Sequence, residues 1–333
     1  MRSAPPLKPA GYDGLVVGLN AVIFAAKESE ISVLVAKGVA TPETALPFGP
    51  FDPEKHRTFE IGLREWVREQ TGFELGYVEQ LYTFGDRGRE APLAALAGAE
   101  GGRVISVGYL GLAPEPRTLK GAGASWAPWS RFYPWEDHRG GRPAVLNEVI
   151  EPALRNWIDE AAGPGARAAR YDRARATFAL DDAPWTEERA LDRYELLYEA
   201  GLVPEAARDQ SGEHFAHPIE GLGEPMASDH RRILATAISR LRGKLKYRPV
   251  VFELMPELFT LSQLQRVVEA IAGYPIHKQN FRRALDRAGF VEGTGRMQSQ
   301  TGGRPAELYR FRREAVRKGE VLGLATPRLK DGA

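Results

Sequence analysis

The chain of 333 residues contains no cysteine. That absence excludes a disulfide framework, a cysteine-ligated zinc or iron–sulfur centre and a thiol nucleophile. No run of roughly 18 uninterrupted apolar residues occurs either, so neither a membrane span nor a membrane partner is expected. Residues 1–10 are proline-rich without an apolar core, which argues against a secretory leader and leaves a cytoplasmic protein as the expectation. Six histidines (His56, His138, His214, His217, His230 and His277) show no metal-ligand spacing, so no metal and no cofactor are expected. A dominant charge is lacking too, with 45 Lys and Arg against 44 Asp and Glu. What is present is bulk: 43% hydrophobic residues over this length suffice for two or three domains with their own cores.

The neutral total hides an uneven distribution. Between Thr260 and Lys318 there are 12 basic and 5 acidic side chains, an excess of +7 that leaves −6 for the rest of the chain. A basic end on an acidic body suits a polyanion-binding module joined to a different domain, and a solvated helical face is the plainer alternative.

Alternating apolar residues predict strands at Leu15–Phe24 and Ile31–Val35, joined as a hairpin through Lys27, Glu28 and Ser29. Prolines and a glycine force a loop over Leu46–Pro53. Thr58 then caps a helix to Thr71, with Phe59, Leu63, Trp66 and Val67 on one face and Gly72 as terminator. Strands follow at Tyr77–Phe84 and Arg103–Leu112, around a long loop from Asp86 to Gly102. Trp126, Trp129 and Trp135 form an aromatic group, read as core in preference to a stacking surface. Residues 164–225 are helix-like in pieces and read as an insertion or helical annex. A helix over Asp229–Lys244 and an extended Tyr247–Phe252 lead to a domain boundary, giving units of 1–245 and 246–320 with a tail of 321–333.

The second unit reads as helix Leu261–Ala272, a short turn, helix His277–Ala288, strand Phe290–Val291, a loop over Gly293–Gly303 and strand Ala306–Phe311. Helix, turn, helix and hairpin is the winged helix-turn-helix pattern. Its second helix carries Lys278, Gln279, Asn280, Arg282, Arg283 and Arg287 around a core of Phe281 and Leu285. Lys and Arg neutralise phosphates, and Arg and Asn bond base edges at two points. Expected DNA contacts are therefore Lys278, Asn280, Arg282, Arg283 and Arg287, with Arg304 on the wing and Thr260, Ser262 and Gln263 on phosphates at the first helix N-terminus.

Leu46–Phe73 resembles the Nudix box, in which a Pro-Gly loop leads to a helix ending in Thr-Gly-hydrophobic. The family places Gly, five residues, Glu, seven residues, then Arg-Glu-hydrophobic-x-Glu-Glu-x-Gly, and its helix glutamates hold Mg²⁺ on a diphosphate. Set on Gly72, this chain has Glu65-Trp66 for Arg-Glu and Glu69-Gln70 for Glu-Glu, and the upstream Glu falls on Arg57 or Lys55. The resemblance thus implies a Nudix-like fold without catalytic residues. A working hydrolase would need a carboxylate set rebuilt from Glu65, Glu69 and Glu136 or Asp137.

Further strings sharpen the resemblance. Tyr77–Asp86, Arg103–Leu110, Asp229-His230, Leu241–Tyr247, Phe252–Pro256, Phe259–Leu261, Asn280–Arg283 and Gly303–Ala306 together resemble the Nudix-related transcriptional regulators of NAD metabolism, the NrtR type. The match covers roughly residues 12–115 and 226–313 in order. It implies an α+β protein: a Nudix-like α/β/α sandwich with a mixed sheet, then a winged helix-turn-helix domain. It further implies a homodimer on a palindromic double-stranded DNA operator and an ADP-ribose-like nucleotide effector. For the effector pocket the expected residues are Phe48, Gly49, Glu65, Glu69, Phe84, Asp86, Arg87, Arg89 and Arg103, the arginines gripping a diphosphate without metal.

Overall fold

The computed structural model describes residues 15–27, 29–37, 43–86, 103–114, 116, 119, 123–209, 219–247, 249–298 and 305–313. A mixed sheet is built on β1 (Leu15–Lys27), which runs parallel to β6 (Arg103–Ala113) from the Leu15–Arg103 pair to Ala25–Ala113. Antiparallel partners extend it: β2 (Glu30–Lys37) and β4 (Phe48–Pro50) on β1, β3 (Thr44–Ala45) and β7 (Ala124–Pro128) on β2, and β5 (Tyr77–Phe84) on β6.

β1 is buried on both faces, and its two residue sets separate by the strand period. Leu19, Ala21, Ile23 and Ala25 join Leu63 and Val67 of α1 (Phe59–Thr71). Val22, Phe24 and Ala26 face the other layer, with Ile233 and Leu234 of a long helix among their cluster. α1 begins on Thr58, whose hydroxyl accepts from the Ile61 amide at 3.2 Å, and ends on Gly72 at φ +68°.

The second helical layer comprises a π-helical turn at Leu146–Ile150 running into α2 (Glu151–Asp159), then α3 (Pro164–Phe178), α4 (Ala190–Glu199), α5 (Pro204–Asp209) and α6 (His230–Tyr247). Residues from 174 to 206, expected as an annex, supply Phe178, Tyr194, Leu197 and Val203 to the same core as the sheet. Trp129 and Trp135 are buried there as well. The extended conformation expected over Tyr247–Phe252 is not found; Val250–Leu254 forms a 3₁₀ turn, with the Phe252 amide on the Pro249 carbonyl.

The winged unit follows as α7 (Leu261–Ala272), α8 (Lys278–Ala288), β8 (Val291–Gln298) and β9 (Ala306–Phe311). β8 takes in six residues expected as loop; a register shift between Gly293 and Met297, with Gly295 at φ +68°, absorbs the loop-like sequence as a bulge. Phe252 stacks on Phe311 at 4.2 Å and meets Phe259 and Phe290, fixing the hairpin to the helices.

The two units share one core. Glu136 is 1% exposed between Arg193 of α4 and Arg242 of α6, each 0% exposed. Arg193 grips it with Nε at 2.5 Å and Nη2 at 2.9 Å, and Arg242 donates to the same carboxylate. Arg242 Nε also donates to the Ile271 carbonyl at the end of α7, at 2.9 Å. Gly273 at φ +81° closes α7 so near the Glu136 carbonyl that a Cβ there would overlap it. One guanidinium thus ties the sheet layer, the middle helices and the winged unit. Burial pushes the Glu136 carboxyl up, but the two guanidinium charges prevail and hold it at about 2.

Candidate functional site

The winged unit offers two helix starts, and they differ. At α7, Thr260 Oγ1 accepts from the Gln263 amide at 3.2 Å while Gln263 Oε1 accepts from the Thr260 amide at 2.7 Å. This capping box satisfies the helix start internally. Thr260 is buried as well, so the expectation of phosphate contacts from Thr260 and Gln263 is revised; Ser262 is exposed. At α8 the residue before the helix is His277, whose side chain makes no capping bond. The first amides of α8 therefore have no side-chain acceptor at the helix N-terminus, where the dipole favours an anion.

α8 buries Phe281 and Leu285 and turns Lys278, Gln279, Arg282, Arg283 and Arg287 to solvent. The bonds its polar side chains make stay within the helix: Arg283 to Asn280 Oδ1 and Arg287 to the Arg283 carbonyl, each at 3.2 Å. Among the described residues, the carboxylates near the hairpin pair with other cations, Glu292 with Arg310 and Glu253 with Arg313, and none forms an ion pair with α8. On the hairpin, Arg296 of β8 is exposed beside Met297; it belongs to the basic excess of residues 260–318 and is not among the expected DNA contacts. Arg304 lies outside the described residues.

The Nudix-box region presents the reverse arrangement. Trp66 Nε1 donates to the Pro50 carbonyl at 2.9 Å, and Gln70 clasps the Phe48 backbone, accepting from its amide at 3.1 Å and donating to its carbonyl at 2.5 Å. A Cβ at Gly49 would overlap the Trp66 ring, so this glycine is needed for close packing of β4 on α1. Phe48 itself is buried, 4.8 Å from the His230 ring. Neither Phe48 nor Gly49 is left open to line a pocket.

These residues do not fit a magnesium ion. Glu65 lies 3.3 Å from His56 Nε2, Glu69 stands exposed, and Trp66 and Gln70 hold β4. Mg²⁺ on a diphosphate needs several oxygen ligands held together. Among the described residues no three His, Asp or Glu side chains come together. The carboxylates that a rebuilt site would draw on are engaged: Glu136 as above, and Asp137 in a two-point pair with Arg139.

A groove of about 1000 Å³ opens instead between β5 and α6. Phe84 and the 62% exposed Tyr82 form its aromatic side; Arg232, Thr236, Arg240 and Lys244 form its polar side. Of the expected pocket residues, Phe84 lines this groove, Asp86 pairs with Arg232, and Arg103 donates to the Gly85 carbonyl at the same end of β5. Arg87 and Arg89 lie outside the described residues. Arg232 is also paired with Glu195 and Asp229, and Lys244 with Glu79, whereas Arg240 is exposed. At the start of α6, His230 Nδ1 accepts from the Leu46 amide at 3.1 Å, and burial pulls the imidazole down to about 3. It is a neutral structural acceptor. His214 and His217 lie outside the described residues, and no described helix is long and apolar enough to cross a membrane.

Residues 251–311 match the family described as the NrtR DNA-binding winged helix domain. The chain is similar to the "ADPR responsive transcriptional repressor NtrR" of Acinetobacter baylyi, 43% identical over 122 residues, which is 35% of this chain and 48% of that protein. It therefore spans about half the length of that curated relative. Among solved structures it resembles Shewanella oneidensis NrtR complexed with a 27mer DNA, at 19% identity and a TM-score of 0.54, covering 94% of this chain and 99% of that one. A MutT/nudix family protein from Enterococcus faecalis is similar at 16% identity and a TM-score of 0.50, over 92% of this chain and 89% of the other. At these identities the structural likeness establishes the fold.

Proposed function

Taking the chain as a Nudix-like domain fused to an NrtR-type winged helix domain, we propose that it is a transcriptional repressor that binds a palindromic double-stranded DNA operator as a homodimer and responds to an ADP-ribose-like nucleotide. The observation that carries this reading is α8: an amide-rich helix start with no side-chain cap, below a face of cations with no carboxylate partner among the described residues. The match of residues 251–311 to a DNA-binding family and the name of the Acinetobacter relative support it. Lys278, Asn280, Arg282, Arg283, Arg287, Arg296 and Arg304 form the proposed DNA surface, with Ser262 on a phosphate.

The proposed effector site is the end of β5 and the adjoining groove on α6. Phe84 and Tyr82 offer ring faces or edges to a base. Arg240 suits a diphosphate without metal, and Arg87 and Arg89, which follow Asp86 in the sequence, are the further candidates. The carboxylate commitments around α1 support a sensor that binds and does not cleave.

Sheared genomic DNA captured on the full chain and sequenced, with and without ADP-ribose, tests the reading. Enrichment of one or a few palindromic sites, altered by ADP-ribose, is expected; uniform recovery would sink it. A phosphate-release assay with ADP-ribose and Mg²⁺ is expected to show no turnover. Turnover abolished by Glu69→Gln would establish a hydrolase instead.

A further inference from the structure

A second cavity, of about 1040 Å³, lies where the middle helices meet the winged unit, away from both α8's outer face and the β5–α6 groove. Its lining includes Arg139 and Arg142, Asp181 and Asp182 of the loop after α3, and Tyr274 in the turn between α7 and α8. Arg139 is already matched by Asp137, and Asp181 by Arg155 and Tyr171. Arg142 has an amide partner, Asn147 at 2.7 Å, and no carboxylate partner among the described residues. Asp182 likewise forms no ion pair among them, and its backbone sits at φ +61°, beside Asp181 at +49° and Ala179 at +54°. Aspartate enters this left-handed region more readily than most residues, so the strain of this loop falls chiefly on Ala179.

His138 supplies a third feature. Its Nε2 is buried without a hydrogen-bond partner, while its ring lies 4.3 Å from Trp185 in the wall of the cavity. Its imidazole is held down at about 4, by burial first, with Glu136 pulling it up and the neighbouring guanidinium charges adding to the depression. It is neutral at physiological pH, so it adds no charge to the cavity lining.

We infer that this cavity binds a small zwitterion of the amino-acid class, its carboxylate on Arg142 and its ammonium group on Asp182. A simple anion would meet the aspartates, and a simple cation would meet the guanidinium groups. A dipolar molecule is complementary to both, through charge-assisted bonds to two side chains that are exposed to solvent. The inference is independent of the DNA-binding reading, because it concerns occupancy of this cavity alone.

Isothermal titration calorimetry of the full chain with each of the common free amino acids tests it. N-acetyl and carboxamide derivatives of any binder serve as anion-only and cation-only probes. Saturable binding of a free amino acid is expected, with both derivatives failing. Arg142→Gln and Asp182→Asn are each expected to weaken it about tenfold or more. Asparagine tolerates the left-handed backbone, so D182N keeps the loop, and an unchanged urea midpoint for both variants verifies the fold. The proposal is overturned if no free amino acid binds saturably, if a derivative binds equally well, or if both variants bind as the parent does.

Discussion

Two helices, α1 and α8, are both rich in polar side chains and use them in opposite ways. Along α1, Arg64 bonds Glu60 and the carbonyls of Leu75 and Gly76, Glu65 meets His56, Trp66 holds Pro50 and Gln70 holds Phe48. Along α8, Lys278, Gln279, Arg282 and Arg283 point outward, and the described bonds are internal to the helix. A polar group satisfied within the chain contributes to the fold, whereas one left in water keeps its charge for a partner. The helix that resembles a catalytic motif has become scaffold, and the helix with the less distinctive sequence carries the surface proposed to bind DNA.

The largest effect is expected where the units join. Arg242→Ala leaves Glu136 with one partner and frees the Ile271 carbonyl, and breaking a buried pair of this kind costs about 3–5 kcal/mol. Urea denaturation should register a loss of that size; a loss below about 1 kcal/mol would show that the junction is not held by this guanidinium.

A smaller effect separates the histidines from the acids. His230 is depressed to about 3, so below its unfolded pKa of about 6.5 the unfolded chain binds a proton that the folded chain refuses. Stability should therefore fall with pH below about 6.5, by about 1.4 kcal/mol per pH unit from His230, with His138 adding a contribution of the same sign. Glu136 acts in a lower window: its stabilisation, present above the unfolded value near 4.5, is lost as pH falls towards 2. His230→Asn keeps an acceptor for the Leu46 amide without the titration and should make the slope between pH 6.5 and 4.5 shallower. An unchanged slope would remove His230 from the account.

The smallest effect sharpens the contrast between the two helix starts. Thr260→Ala removes the α7 capping box and should cost about 1 kcal/mol of stability. On a captured DNA fragment it should leave the salt dependence of binding unchanged. A reduced slope would mean that the α7 start does touch phosphates.

Much of this is legible in the residues. Thr58 and Gly72 mark both ends of α1, the apolar alternation marks β1 and β2, and Phe281 with Leu285 orients α8. The α7 start is ambiguous although Thr260 and Gln263 have capping-box spacing, because the same amides also suit a phosphate and local sequence does not choose between the two. Glu136 reads in the sequence as a potential metal ligand; its partners lie 57 and 106 residues away, a pairing that only the fold brings together. The middle helices read as an annex because they are Ala- and Glu-rich and carry no motif, yet Tyr194 and Leu197 close the core of the sheet.

The central claim is that the uncommitted cations of α8 bind DNA and that the capped start of α7 does not. The direct test is the salt dependence of affinity for one captured fragment, measured for the parent chain and for the Arg282→Ala/Arg283→Ala variant. Because the variant removes two phosphate-binding cations, the slope of log affinity against log salt should fall by about 2 while the urea midpoint stays in place. An unchanged slope in a folded variant would contradict the account.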